Sequence, residues 1–106
     1  MEIVFHAHRA EVSPSLRRRA EAAIRRVARH SRRPMDATIR FVEDGPSRAV
    51  ELVLHTANGR RFVARSEARY FGSALAAAAR RLTTQVDHTK RTPKSRARRV
   101  ARATRA

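Results

Sequence analysis

Five apolar residues, Phe71, Leu75, Ala78, Leu82 and Val86, recur at intervals of three and four in the second half of the chain. At about 100° per residue they fall on one stripe of a helix. Such a helix holds its place in water only when the stripe covers another apolar surface. The residues upstream must supply that surface, and their patterning says that they supply it as strands.

Residues 2–7 (EIVFHA) alternate, with Ile3, Phe5 and Ala7 on one side and Val4 and His6 on the other, the period of a half-buried strand. Ser13-Pro14 reads as an N-cap followed by a proline in the first helical turn, where a missing N–H costs nothing. A helical period runs from there to Arg33, with Leu16, Ala20, Ala23, Ile24 and Val27 as its apolar stripe, and Pro34 forces an exit. Residues 36–43 (DATIRFVE) alternate again, Ile39 and Phe41 facing the core. Asp44-Gly45-Pro46-Ser47 is turn chemistry. Residues 48–56 (RAVELVLHT) point Val50, Leu52 and Leu54 inward, and Asn58-Gly59 predicts a type I′ hairpin. Residues 60–65 (RRFVAR) form a fourth strand with Phe62 and Ala64 inward. Ser66 is the expected N-cap of the second helix, with Glu67 in its first turn.

The order is therefore β-α-β-β-β-α. The fold class is α+β: a four-stranded sheet with two helices packed on one face, each strand having one apolar side and each helix one apolar stripe. The helical link between the first two strands is the kind of crossover that makes a strand pair parallel.

Charge decides what such a domain meets. The chain carries 25 Lys and Arg against 9 Asp and Glu, a formal charge of +16. A phosphate-rich partner is the expectation from an excess of that size. On the first helix Arg18, Arg25, Arg29 and Arg32 lie opposite the apolar stripe, with Glu21 as the sole acid among them, whereas a merely solvated face mixes signs for i,i+4 pairing. With Arg33 they make one candidate RNA-binding set. Arg80, Arg81, His88, Lys90 and Arg91 make the other, on the second helix. Residues 1–91 read as one domain. Residues 92–106 (TPKSRARRVARATRA) hold six basic residues, no acid and one large apolar side chain, and read as a basic tail, disordered when free.

The pattern offers little for chemistry on small molecules. With no cysteine there is neither a disulfide nor a thiolate metal site. His6 and His8 lie two apart on a strand, but no carboxylates are spaced to complete a metal site. Glu43-Asp44 belong to a turn, and Gly45, Gly59 and Gly72 are too scattered for a phosphate loop. No enzyme, cofactor or small-molecule substrate is expected. Tyr70 is the sole tyrosine, and the four phenylalanines are accounted for by the core, so single-strand stacking on the sheet is disfavoured. The first fifteen residues lack a signal peptide's apolar run, and no segment approaches the roughly 20 apolar residues of a membrane span. A cytoplasmic monomer is the expectation. Composition alone also allows a DNA-compacting protein. The helix and strand order is close to that of a double-stranded RNA-binding module, against which the extra first strand argues.

The chain resembles the ribosome hibernation-promoting factors, also called protein Y or ribosome-associated inhibitors. EIVFHAHRAEVSPSLRRRAEAAIRRV is similar to that family's first strand, loop and capped helix. AVELVLHTANGRRFVARSEARYFGSALAAAARRLTTQVDHTK is similar to its third and fourth strands and second helix. Phe71, Ala74 and Leu75 fall where the family has a methionine-tyrosine-alanine-alanine-isoleucine-aspartate run. Arg81-Leu82 and Gln85-Val86 fall on its lysine-leucine and glutamine-leucine pairs, and His88 and Lys90 on basic positions at the helix end. Gly72 replaces its usual tyrosine, Ala76 its usual aspartate, and Thr84 stands where a basic residue is common. The resemblance covers about residues 1–92. It implies a non-enzymatic factor of the short type that binds the rRNA of the small ribosomal subunit through both helices. Such a factor occupies the channel of messenger and transfer RNA at the decoding region and silences translation in stress.

Overall fold

The computed structural model describes the backbone of residues 1–105 and the side chains of residues 1–89. The expected tail at 92–106 and the Lys90 and Arg91 side chains lie outside the residues described with side chains. The elements follow the expected order: β1 (Glu2–His8), α1 (Pro14–Ala28), β2 (Pro34–Asp44), β3 (Ser47–Thr56), β4 (Arg61–Ala68) and α2 (Phe71–Arg105). The fold is α+β, with one four-stranded sheet in the spatial order β1-β2-β3-β4. β1 pairs parallel with β2 across the helical connection, and the other two pairs are antiparallel hairpins.

The strand period decides which side each residue takes. Ile3, Phe5, Ala37, Ile39, Phe41, Val50, Leu52, Leu54, Phe62 and Ala64 face the helices. They meet Ala20, Ile24 and Val27 from α1, and Ala74, Leu75, Ala78, Leu82 and Val86 from α2, in one core. Phe41 and Phe71 meet edge to face at 5.4 Å between ring centres, which fixes the start of α2 on the sheet. Both stripes read from the sequence are thus the buried ones.

Three local expectations are corrected. α1 ends at Ala28 rather than at Arg33. Its apolar stripe is exhausted there, because the next sheet-facing position is Ser31. His30 and Ser31 instead tighten the end by donating to the carbonyls of Val27 and Ala28, each at 3.0 Å. Arg33 then turns left-handed (φ 52°) and delivers the chain to β2. Arg32 and Arg33 therefore sit in a loop, not on α1.

Ser66 caps nothing. The alternation of β4 runs on through it, and Ser66 is 7% exposed opposite Val50. Glu67 is likewise in the strand, and α2 starts four residues later than expected, at Phe71.

The Asn58-Gly59 hairpin is also not type I′. Gly59 takes φ 81°, but Asn58 does not share the positive φ that type I′ requires. Gly59 N–H donates to the Thr56 carbonyl (3.1 Å) and Thr56 N–H to the Arg60 carbonyl (3.0 Å). This is a type I turn followed by one left-handed residue. The Thr56 hydroxyl and the Asn58 amide oxygen bond within it, so Asn58 spends its side chain on the loop.

Candidate nucleic-acid interface

The two helices lie side by side on the sheet, and a groove of about 680 Å³ runs between them. Its floor is apolar, with Ala23 and Val27 from α1 and Leu75 and Ala79 from α2, and the exposed Ala22 and Ala76 border it. Its walls carry Arg19, Arg26 and Arg80. The alanines are what keep the groove open. Arg19 leans over Gly72, and a Cβ on that glycine would come within 3.3 Å of the guanidinium.

Arg19 and Arg26 are seven residues apart, two turns or about 10 Å along α1. They stand about a quarter turn from the centre of the apolar stripe, on the flank beside α2. The sequence reading missed both, because it searched directly opposite the stripe. Arg18, Arg25 and Arg29 do lie on that outer ridge, all exposed. Arg25, however, is held by Glu21 (2.9 Å) in an i,i+4 pair. Arg18, Arg19, Arg26, Arg29 and Arg80 make no ion pair among the described residues.

The second candidate set divides as well. Arg80 joins the groove, while Arg81, 100° further round, faces β4. There it donates to the Arg65 carbonyl (2.9 Å), and Gln85, one turn on, donates to the Val63 carbonyl (2.8 Å). These two side chains occupy outward carbonyls of an edge strand that would otherwise be open to pairing. Arg81 is thus held in the fold rather than extended from it. His88 is exposed on α2, near the last residues whose side chains are described. Arg32 lines a smaller cleft of about 290 Å³ with His30, Arg60, Phe62 and Val86, and the Arg33 carbonyl accepts from Ala57 N–H at 3.0 Å. Arg32 and Arg33 therefore border the β3–β4 turn, one end of the helical layer.

The nine acids are placed as tellingly as the arginines. Strand parity sends Glu2, Asp36, Glu51 and Glu67 to the sheet face that the helices leave uncovered. Glu43 and Asp44 flank the β2–β3 turn, and Glu11 lies in the β1–α1 connection. The two acids on helices are both engaged: Glu21 with Arg25, and Asp87 with His30 at 2.9 Å. The His30–Asp87 contact also ties α2 to the loop after α1. The molecule has a helical face on which Arg18, Arg19, Arg26, Arg29 and Arg80 lack an acid partner among the described residues, and an opposite face of mixed sign.

Among the described residues no group of three or more His, Asp or Glu is placed to hold a metal ion, and His6 and His8 stay exposed on β1. No helix is long and apolar enough to cross a membrane among the described residues.

Comparison with known proteins agrees with this architecture. The chain superposes on a ribosomal subunit interface protein from Coxiella burnetii with a TM-score of 0.75, at 19% identity over 85% of this chain and 98% of that one. It superposes on the N-terminal domain of Protein Y from Thermus thermophilus with a TM-score of 0.73, at 21% identity over 84% and 99%. No curated protein sequence matches it. At these identities the likeness is one of fold. Residues 3–94 match a sequence family of ribosome-associated proteins, and the protein belongs to that family, the Sigma 54 modulation protein / S30EA ribosomal protein family.

Proposed function

We propose that this protein silences ribosomes by laying its helical face on the rRNA of the small subunit, in the channel that messenger and transfer RNA use at the decoding region. The observation that carries the reading is the segregation of charge: arginines without an acid partner line the inter-helix groove and the ridge of α1, and the acids lie elsewhere or are hydrogen-bonded to a neighbour. A guanidinium matches two phosphate oxygens at once, and each phosphate it neutralises releases counterions. Arg19, Arg26 and Arg80 take phosphates in the groove, and Arg18 and Arg29 take them on the ridge. Arg25 joins them by exchanging Glu21 for a phosphate. Arg32, His88, Lys90, Arg91 and the basic tail extend the contact toward the end of the helical layer.

Inhibition on this reading is occlusion. No bond is made or broken, so no cofactor and no perturbed acidity is needed. The name of one structural neighbour, a ribosomal subunit interface protein, agrees with a site between the ribosomal subunits. The protein acts in the cytoplasm as a monomer, in stress. The parallel β1–β2 pair sets it apart from a double-stranded RNA-binding module, whose sheet lacks that first strand.

The test is sedimentation with purified subunits alongside a cell-free translation assay. The protein should travel with the small subunit and reduce translation in proportion to its occupancy. Sedimentation free of ribosomes at physiological salt, or travel with nucleoid DNA instead, would refute the reading.

A further inference from the structure

The two helices begin in different ways. α1 has a capping residue, Ser13, whose hydroxyl accepts from Leu16 N–H at 3.1 Å. α2 has Tyr70 in that position: its carbonyl accepts the first helical bond, from Ala74 N–H at 3.1 Å, but a phenol cannot reach back to the first-turn N–H groups. No acid stands in that first turn either. Nor does Tyr70 pack, for it is 66% exposed, the most exposed of the large apolar side chains described. A residue that neither caps nor fills the core breaks the local rule without a structural gain, which points to a surface role.

Its surroundings say which role. Tyr70, Phe71, Arg69, Arg48, Gly45 and Pro46 line an open cleft of about 480 Å³. The Arg69 guanidinium lies 5.9 Å from the Tyr70 ring centre and makes no ion pair among the described residues. Arg48 is fixed by Glu43 (3.0 Å) and by the Gly45 carbonyl (3.1 Å), 6.0 Å from the Phe71 ring centre. An exposed aromatic ring with an unpaired guanidinium lying over it suits an unstacked nucleobase, stacked on the ring's other face, and its phosphate. Gly72, two residues on, lines the inter-helix groove where Arg19 leans in, so this cleft adjoins one end of the groove.

We propose that Tyr70 and Arg69 form a stacking subsite for an unpaired nucleotide of RNA at the Arg19 end of the helical face. The proposal rests on the reading of that face as an RNA surface. It also revises the sequence expectation against stacking, which considered the sheet, whereas Tyr70 stands at a helix entry.

The chain has one tyrosine and no tryptophan, so its ultraviolet emission reports on this site alone. Single-stranded oligoadenylate added to the full chain at low salt should quench that emission saturably. A blunt RNA duplex, whose bases stay stacked, should bind without quenching. Tyr70→Ser should bind the oligoadenylate about 5- to 100-fold more weakly, the worth of one base stacked on an aromatic ring. The same variant should melt at a higher temperature, because serine caps the helix. Tyr70→Phe should keep near wild-type affinity. Unchanged emission at saturating oligoadenylate, or wild-type affinity in Tyr70→Ser, would overturn the subsite. Co-sedimentation of the wild-type protein with small subunits is scored separately: if it persists while the stacking readouts fail, the subsite is wrong and the helical face stands.

Discussion

Replacing Arg19, Arg26 and Arg80 together with alanine removes the cations of the groove and nothing that holds the fold. All three are exposed and none is ion-paired among the described residues, and alanine is the best helix former. If each arginine neutralises one phosphate, each contributes about 0.7–0.9 to the slope of log affinity against log salt. The triple variant should therefore be shallower by about 2.1–2.7 units. Counterion release vanishes near 1 M salt, so at 0.1 M the variant should bind about 100- to 500-fold more weakly. The assay is anisotropy of labelled protein titrated with small subunits between 50 and 200 mM salt. Circular dichroism and the melting temperature serve as folding controls and should stay at wild type. A control in Arg65, paired with Glu67 at 2.9 Å on the opposite face, should leave the slope unchanged when Arg65 becomes alanine. A triple variant that keeps the wild-type slope would refute the groove as a phosphate site, whatever its affinity.

Further expectations concern the frame that carries the groove. Ile24→Ala removes a fully buried side chain of α1 and should cost about 2–5 kcal/mol in urea unfolding; a negligible loss would mean that α1 does not pack as described. Arg81→Ala and Gln85→Ala should each cost about 0.5–1.5 kcal/mol and speed hydrogen exchange along β4, with the salt slope kept. If Arg81→Ala instead flattens the salt slope with no loss of stability, Arg81 belongs to the RNA surface. Deleting residues 93–106 should weaken binding to small subunits and leave the melting temperature unchanged, since the segment has many charges and little to bury; a large drop in melting temperature would refute its role as a tail.

Most of the frame was legible in the sequence because it depends on period alone. Alternation in VELVL and TIRF named the inward residues of β2 and β3, and spacing of three and four named both buried stripes. Element ends depend on what comes next in space, and there the reading slipped. Ser66 has the chemistry of a cap, but burial opposite Val50 keeps it in β4. Arg29–Arg33 keep helical propensity, but have no apolar residue left to turn toward the sheet.

The candidate site was legible as a charge pattern and not as a place. A helical wheel shows which arginines avoid the core, and it gave Arg18, Arg25 and Arg29 correctly as the outer ridge. Only the neighbouring helix turns the flank with Arg19 and Arg26 into a groove. The same neighbourly fact separates Arg80 from Arg81, which are adjacent in sequence and face different partners. The alanines at 22, 23, 76 and 79 were the available clue, since small residues on facing flanks leave space between helices.

On the proposed function the helical face, and not the sheet face, meets the rRNA of the small subunit. The chain has no cysteine, so single thiols can be placed at will and loaded with a hydroxyl-radical source. Ala22→Cys places it at the groove, and Val4→Cys places it on the uncovered sheet face. Ala22→Cys should give strand breaks in small-subunit rRNA clustered at the decoding region, suppressed when messenger and transfer RNA are bound beforehand. Val4→Cys should give few or none there. Strong decoding-region cleavage from Val4→Cys with silence from Ala22→Cys would contradict the proposed function.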